Sequence, residues 1–213
     1  MTPRPKRPDL RAQRAAEIIQ AAAEVFAEKG YRGARVIDVA RRAGIGKGTV
    51  YEYFRNKQEL FLAVFDWYVE GVLEASLAAA APGDSPPRAL RRLVEEMLTA
   101  TAEVLHLYPL TLEFWAAAAG SELGERLNQE FRDLYRRYGE AVADLIRAGF
   151  ASGDFDPAVD PVATARVLAG ALDGLFLQAW LDPGFDAPAA GRAFLDVVLG
   201  GLAAPAGEAP RAD

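Results

Sequence analysis

Apolar residues recur along this chain at steps of three and four, with no sustained alternation, so the pattern predicts an all-α fold. The first helix runs from Arg11 to Lys29, with Ile18, Ala22, Val25 and Phe26 on one stripe, and Gly30 ends it. Arg32 and Gly33 mark a turn. Val36, Val39, Ala40 and Ala43 make a second, short stripe, which Gly44 stops because a positive φ suits glycine alone. Gly46 opens a third helix, whose inner face is Val50 and Phe54 and whose outer face is Lys47, Gly48, Thr49, Tyr51, Glu52 and Tyr53. From Lys57 to about Ala80 a fourth helix carries Leu60, Phe61, Val64, Phe65, Tyr68, Val72 and Leu73. The run Pro82-Gly83-Asp84-Ser85-Pro86-Pro87 reads as a linker.

A fifth helix is expected from Arg88 to Tyr108-Pro109, and a short sixth from Leu110 to Ala119, stopped by Gly120. Ser121, with Glu125 nearby, opens a long seventh bearing Leu127, Phe131, Leu134, Tyr135, Tyr138, Val142, Leu145 and Ile146, broken over Gly149 to Asp156. Asp160-Pro161 reads as N-cap and first helical residue of an eighth helix reaching Leu181. The last spans about Pro188 to Leu202, making about nine helices in all.

Composition narrows the chemistry. The 213 residues are 51% hydrophobic and 25% charged, ordinary for a soluble globular protein. There is no cysteine and a single histidine, His106, so thiolate sites, a His-based triad and a His-rich metal site are not expected, nor is any cofactor. The apolar run Val162 to Leu181 contains Arg166, Asp173 and Gln178, which makes a lipid span costly, and Met1 to Arg14 lacks the apolar core of a signal peptide. A soluble, cytoplasmic protein with no membrane partner is the expectation. The net charge of −6 is unevenly placed: residues 1–60 hold 13 Lys and Arg against 7 Asp and Glu, the remainder 11 against 23. The basic part is the part with the two short helices.

Two short helices joined by a glycine turn form a helix-turn-helix, and the outward face of the second suits DNA. Lys47 can donate to guanine edges or phosphates, Gly48 lets the backbone approach, Thr49 and Tyr53 can donate to phosphate oxygens, and Tyr51 can touch a thymine methyl. Glu52 repels phosphate and needs a cytosine amino group or a basic partner. The same pattern also fits a helical hairpin whose polar face meets only water. Met1 to Asp9, with three prolines, Arg4, Lys6 and Arg7, reads as a flexible arm, either a solvated tail or an added groove or phosphate contact.

The runs Ala15 to Ala22, Phe26 to Tyr31, Val36 to Ala40, Arg41 to Phe54 and Asn56 to Leu60 resemble, with spacing intact, the start of tetracycline-repressor-family (TetR-family) regulators. The resemblance implies a DNA-binding region over residues 1–56 and a helical ligand-binding and dimerisation region over 57–203; the Pro-, Ala- and Gly-rich run over 204–213 reads as a flexible tail. It also implies a phosphate contact for Lys57. Family members usually cap the second helix with Thr or Ser; here Ala34 and Arg35 stand there, which predicts a weaker cap and leaves Arg35 able to reach a phosphate.

The last two helices are apolar nearly all round, and Gly170 and Gly174 allow close helix approach. By the resemblance they form a homodimer interface, with Leu168, Leu172, Leu175, Phe176, Phe194, Leu195, Val198 and Leu202 as its candidates. An aromatic set on bundled helices is ordinarily plain core. The resemblance turns it toward an inducer pocket, for which Phe65, Met97, Trp115, Phe131 and Tyr135 are the lining candidates and His106 and Gln178 the polar ones. Enzyme readings find no phosphate loop, nucleophile elbow or strand-led glycine fingerprint. The reading is a ligand-responsive repressor that binds a palindromic double-stranded operator as a homodimer and leaves it when a hydrophobic small molecule binds. The alternative from another class is a helical carrier of apolar molecules without specific DNA binding.

Overall fold

Asp160 and Pro161 start a helix for the reason their chemistry provides. The Asp160 carboxylate accepts from the Val162 and Ala163 amides at 2.9 and 3.0 Å, and Pro161 occupies the first helical position, where no amide is needed. Asp186 does the same for the last helix, accepting from the Ala189 amide at 2.9 Å. The computed structural model describes residues 10–80, 83–120 and 123–204. The expected arm over residues 1–9, residues 205–213 of the tail, Pro82 and Ser121 lie outside the described residues.

Among the described residues the elements are α1 (Leu10–Gly33), α2 (Val36–Arg42), α3 (Lys47–Tyr53), α4 (Lys57–Ala79), α5 (Pro86–Glu103), a 3-10 turn (Leu105–Leu107), α6 (Tyr108–Gly120), α7 (Gly124–Ser152), α8 (Pro161–Leu181) and α9 (Ala187–Leu202). No strand occurs among them, only an isolated bridge between Phe155 and Ala203. Pro86 and Pro87, expected in the linker, fill the first turn of α5 instead. Tyr108-Pro109 opens α6 rather than closing α5, because a proline in a first turn leaves no hydrogen bond unmade.

Packing divides the chain into two units. The first joins residues 10–70 to 106–128. In it α1 packs on α2 and α6, and α2 on α3. Its centre is aromatic: Phe61 meets Phe26 edge-on at 5.2 Å, Tyr31 at 4.4 Å and Phe114 at 4.8 Å, and Phe65 stands perpendicular to Phe114 at 4.9 Å. That cluster draws α6 and the first turns of α4 to the helix-turn-helix. Gly30 breaks α1 at φ 67°, and a Cβ there would lie 2.6 Å from Glu113 Oε1. The other Glu113 oxygen accepts from the Tyr31 amide at 3.1 Å, so a carboxylate of α6 caps the bend.

The second unit holds residues 71–105 and 129–204 of the described chain. There α5 packs on α9 and α8, and α8 on α9. Leu98 fills the space where a Cβ on Gly191 would sit, at 2.5 Å, and the buried Phe155 ring folds over Gly149 in the same way. Only Ala165, Leu168, Leu172, Phe176 and Ala179 of α8 are buried in the unit, although α8 is long and apolar enough to cross a membrane.

Candidate functional site

The helix-turn-helix forms where the spacing placed it. Gly44 adopts φ 67° with open space over its Cα, so backbone conformation rather than packing requires glycine there. Val50 is 1% and Phe54 8% exposed, which anchors α3 by its inner face. Lys47, Gly48, Tyr51 and Glu52 are exposed, and Thr49 and Tyr53 half-buried. The Lys47 ammonium lies 5.6 Å from the centre of the Tyr51 ring, one turn on. From α1, the Arg11 guanidinium lies over Tyr53 at 5.3 Å, beside an open groove of about 520 Å³ lined by Leu10, Arg11, Gln13, Arg14, Glu17 and Tyr53. Neither Arg11 nor Arg14 stood out in the sequence, because a solvated helix start looks the same.

Arg35 takes on a second role, and the expected phosphate contact of Lys57 is reassigned. Arg35 occupies the N-cap position of α2 with extended backbone, and its amide donates to Asp38 Oδ2 at 3.1 Å. The guanidinium has no acceptor, so the cap is made from one side only, by the third-position carboxylate. Asp38 also meets Lys29 at 3.2 Å, Arg35 Nε at 3.4 Å and Arg41 at 3.7 Å. Burial pushes the Asp38 carboxyl up. The hydrogen bonds from Lys29 and the Arg35 amide, with the charges of both residues, outweigh it and hold the carboxyl below its usual value. The weaker cap expected at this helix is therefore replaced by a carboxylate ringed by three cations. The Lys57 ammonium is not directed outward; it donates to the Tyr31 and Ala34 carbonyls at 2.7 and 3.1 Å and sits 4.5 Å from the Tyr31 ring.

The pocket candidates are divided between the two units. In the first unit Phe65 is 2% exposed and locked against Phe114, so it is core and offers a ligand no surface. His106 is a surface residue, 3.5 Å from Glu24, and Trp115 is half-buried on α6. In the second unit Met97 is half-buried on α5, while the exposed Gln178 donates to the Gly174 carbonyl of its own helix at 3.2 Å. Phe131 and Tyr135 stack at 6.4 Å, and the Tyr135 hydroxyl donates to Asp173 Oδ2 at 2.6 Å. Burial pushes the Asp173 carboxyl up, against the Tyr135 hydrogen bond. Tyr138, 3% exposed, belongs to the same neighbourhood: burial, and then the Asp173 charge, push its phenol strongly up.

Of the dimer candidates, Leu168, Leu172, Phe176, Leu195 and Leu202 are buried within the chain itself. A side chain already out of water has no apolar area left for a partner to cover. Leu175, Phe194 and Val198 are half-buried. The exposed apolar residues lie on the other faces of these helices, with Val167 at 67%, Leu181 at 66% and Val197 at 72%.

A recognition helix held by its inner face and open on its outer one, within an all-α chain, defines a helix-turn-helix transcriptional regulator. The profile of bacterial regulatory proteins of the tetR family matches residues 18–64, and that of the BetI-type transcriptional repressor C-terminal region matches residues 86–204. The chain belongs to the TetR family. It is 31% identical over 152 residues to the HTH-type transcriptional regulator YhgD of Bacillus subtilis (strain 168), covering 71% of this chain and 76% of that one. It is 26% identical over 211 residues to the HTH-type transcriptional repressor KstR2 of Mycolicibacterium smegmatis, covering 96% and 98%. Among solved structures, the fatty acid degradation regulator FadR from Bacillus halodurans superposes with a TM-score of 0.74 at 26% identity, covering 88% of this chain and 98% of that one.

Proposed function

We propose that the protein is a homodimeric repressor that works in the cytoplasm, holds a palindromic operator and releases it when a small, mostly apolar molecule binds. The observation that carries the DNA reading is the outer face of α3. Among the described residues nothing beyond the helix's own backbone uses the space over Gly48, although a glycine inside a helix costs about 0.5–1 kcal/mol relative to alanine. Such a glycine fits a surface that a phosphate backbone approaches closely. Lys47 and Arg35 supply charge, Thr49 and Tyr53 hydroxyl donors, and Tyr51 an apolar contact for a thymine methyl. Glu52 disfavours phosphate and so adds selectivity rather than affinity.

The dimer reading rests on a stripe of small and apolar residues: exposed Val167, Gly170 and Leu181 and half-buried Gly174 on α8, with exposed Ala193 and Val197 on α9. The inducer reading rests on Met97, Phe131 and Tyr135 in the second unit, and on a relative described as a fatty acid degradation regulator. The test is a salt titration of DNA mobility shifts on genomic fragments, followed by addition of candidate inducers. A saturable complex that weakens with salt and dissociates with one inducer class is expected. A carrier would show no sequence-specific complex at any salt concentration.

A further inference from the structure

Asp173 interrupts the apolar run of α8 next to its buried stripe, between Leu172 and Phe176. Its carboxylate accepts one hydrogen bond, from Tyr135, and no cation among the described residues lies within ion-pair distance of it. On α7, Tyr138 stands three residues beyond Tyr135, on the same helix face. Its hydroxyl is buried and makes no hydrogen bond with the described residues. Burying a carboxylate with one neutral partner, and a phenol oxygen with none, costs stability that a plain apolar core would not. Both groups have acceptor capacity left over, and Asp173 has no positively charged N–H donor beside it. The stacked rings of Phe131 and Tyr135 add aromatic surface for an apolar body and for a cation. Tyr135, 40% exposed, opens this neighbourhood to solvent.

We propose that Asp173, Tyr138 and Tyr135 form the head-group site for a protonated primary amine with an apolar body, the ammonium donating to Asp173 and to the Tyr138 oxygen. The proposal rests on the ligand-responsive reading above and names its ligand class. A free fatty acid is disfavoured in this place, because its carboxylate would lie against that of Asp173.

The test is isothermal titration calorimetry on the full chain at neutral pH with four probes of equal chain length: decylammonium, decyltrimethylammonium, decanol and decanoate. Decylammonium is expected to bind at least about tenfold more tightly than the other three, the scale of one charged contact. Asp173→Asn is expected to remove that preference. Tyr138→Phe is expected to weaken decylammonium severalfold while raising the melting temperature of the ligand-free chain, since it deletes only an unpaired hydroxyl. Equal affinity for all four probes would overturn the site, as would a decylammonium affinity that neither variant changes. Should Asp173→Asn fail to fold, Tyr138→Phe and the probe series decide alone. Mobility shifts run in parallel separate the two readings. Operator release by decanol or decanoate, equal in parent and variants, would leave the switch standing and sink the amine site. Decylammonium binding without any sequence-specific DNA complex would leave the site standing and sink the repressor.

Discussion

A methyl group added at Gly48 would meet nothing among the described residues within 4 Å beyond its own helix backbone, and alanine favours a helix interior by about 0.5–1 kcal/mol over glycine. Gly48→Ala is therefore expected to raise the denaturation midpoint while weakening operator binding, since the methyl would occupy space the DNA backbone needs. Anisotropy and urea melts on one preparation check both signs, and a change of the same sign in both would remove Gly48 from the interface. Lys57 behaves in the opposite sense. Its ammonium satisfies two carbonyls from residues 26 and 23 positions earlier, a pairing no local pattern reveals. Lys57→Ala is expected to cost stability of about 1–3 kcal/mol, the range for losing charge-assisted hydrogen bonds and orphaning their acceptors. It should leave the salt slope of DNA binding unchanged, whereas Lys47→Ala should lower that slope by about 1. Asp173 was visible as the lone carboxylate in an apolar helix. Its neighbour Tyr135, 38 positions away, was not, because the sequence does not say which turn of α7 faces which turn of α8.

Helices were legible wherever capping chemistry lies beside the helix, as at Asp160 and Gly44, and less so where one residue type serves both ends. Proline at 109 fits the end of one helix or the first turn of the next, and only packing chooses. At α2 the cap came from the third position rather than the first, so a missing Thr or Ser misled. Because the folded Asp38 carboxyl titrates below its usual value of 3.8, its contribution to stability is complete above that value and is lost as pH falls through the lower, folded pKa. Asp38→Asn should therefore melt at lower temperature than the parent at pH 7, with the gap closing under acid conditions. A gap that stays constant down to pH 2 would show that charge plays no part at this cap. Between α9 and α5, Gly191→Ala would drive a methyl into Leu98 and is expected to cost about 1–3 kcal/mol by overpacking. Thermal melts check it, and an unchanged midpoint would mean that Leu98 moves aside freely.

At the scale of the whole molecule, a helix apolar on every side hides which side faces its own chain. In α8 and α9 the large residues that looked most like an interface, Leu168, Leu172, Phe176, Leu195 and Leu202, turned inward. Apart from Leu181, the stripe consists of valines and small residues that draw less notice in a sequence. Truncating the two kinds of position should have separable effects. Leu195→Ala, at 0% exposure, is expected to cost about 2–5 kcal/mol of stability by opening a cavity, whatever the oligomeric state. Val167→Glu and Val197→Glu, at 67% and 72% exposure, should leave the fold intact and place a charge in the partner's path. Two half-sites one helical turn apart require two linked readers, so each charged variant should sediment as a monomer. Each should also lose operator affinity on the order of 10²-fold, the gain that linkage ordinarily confers. Single half-site fragments would bind parent and variants alike, which separates lost linkage from a damaged α3. A parent chain that is already monomeric at micromolar concentration would overturn the dimer reading, and variants that stay dimeric with full operator affinity would place the interface elsewhere on the molecule.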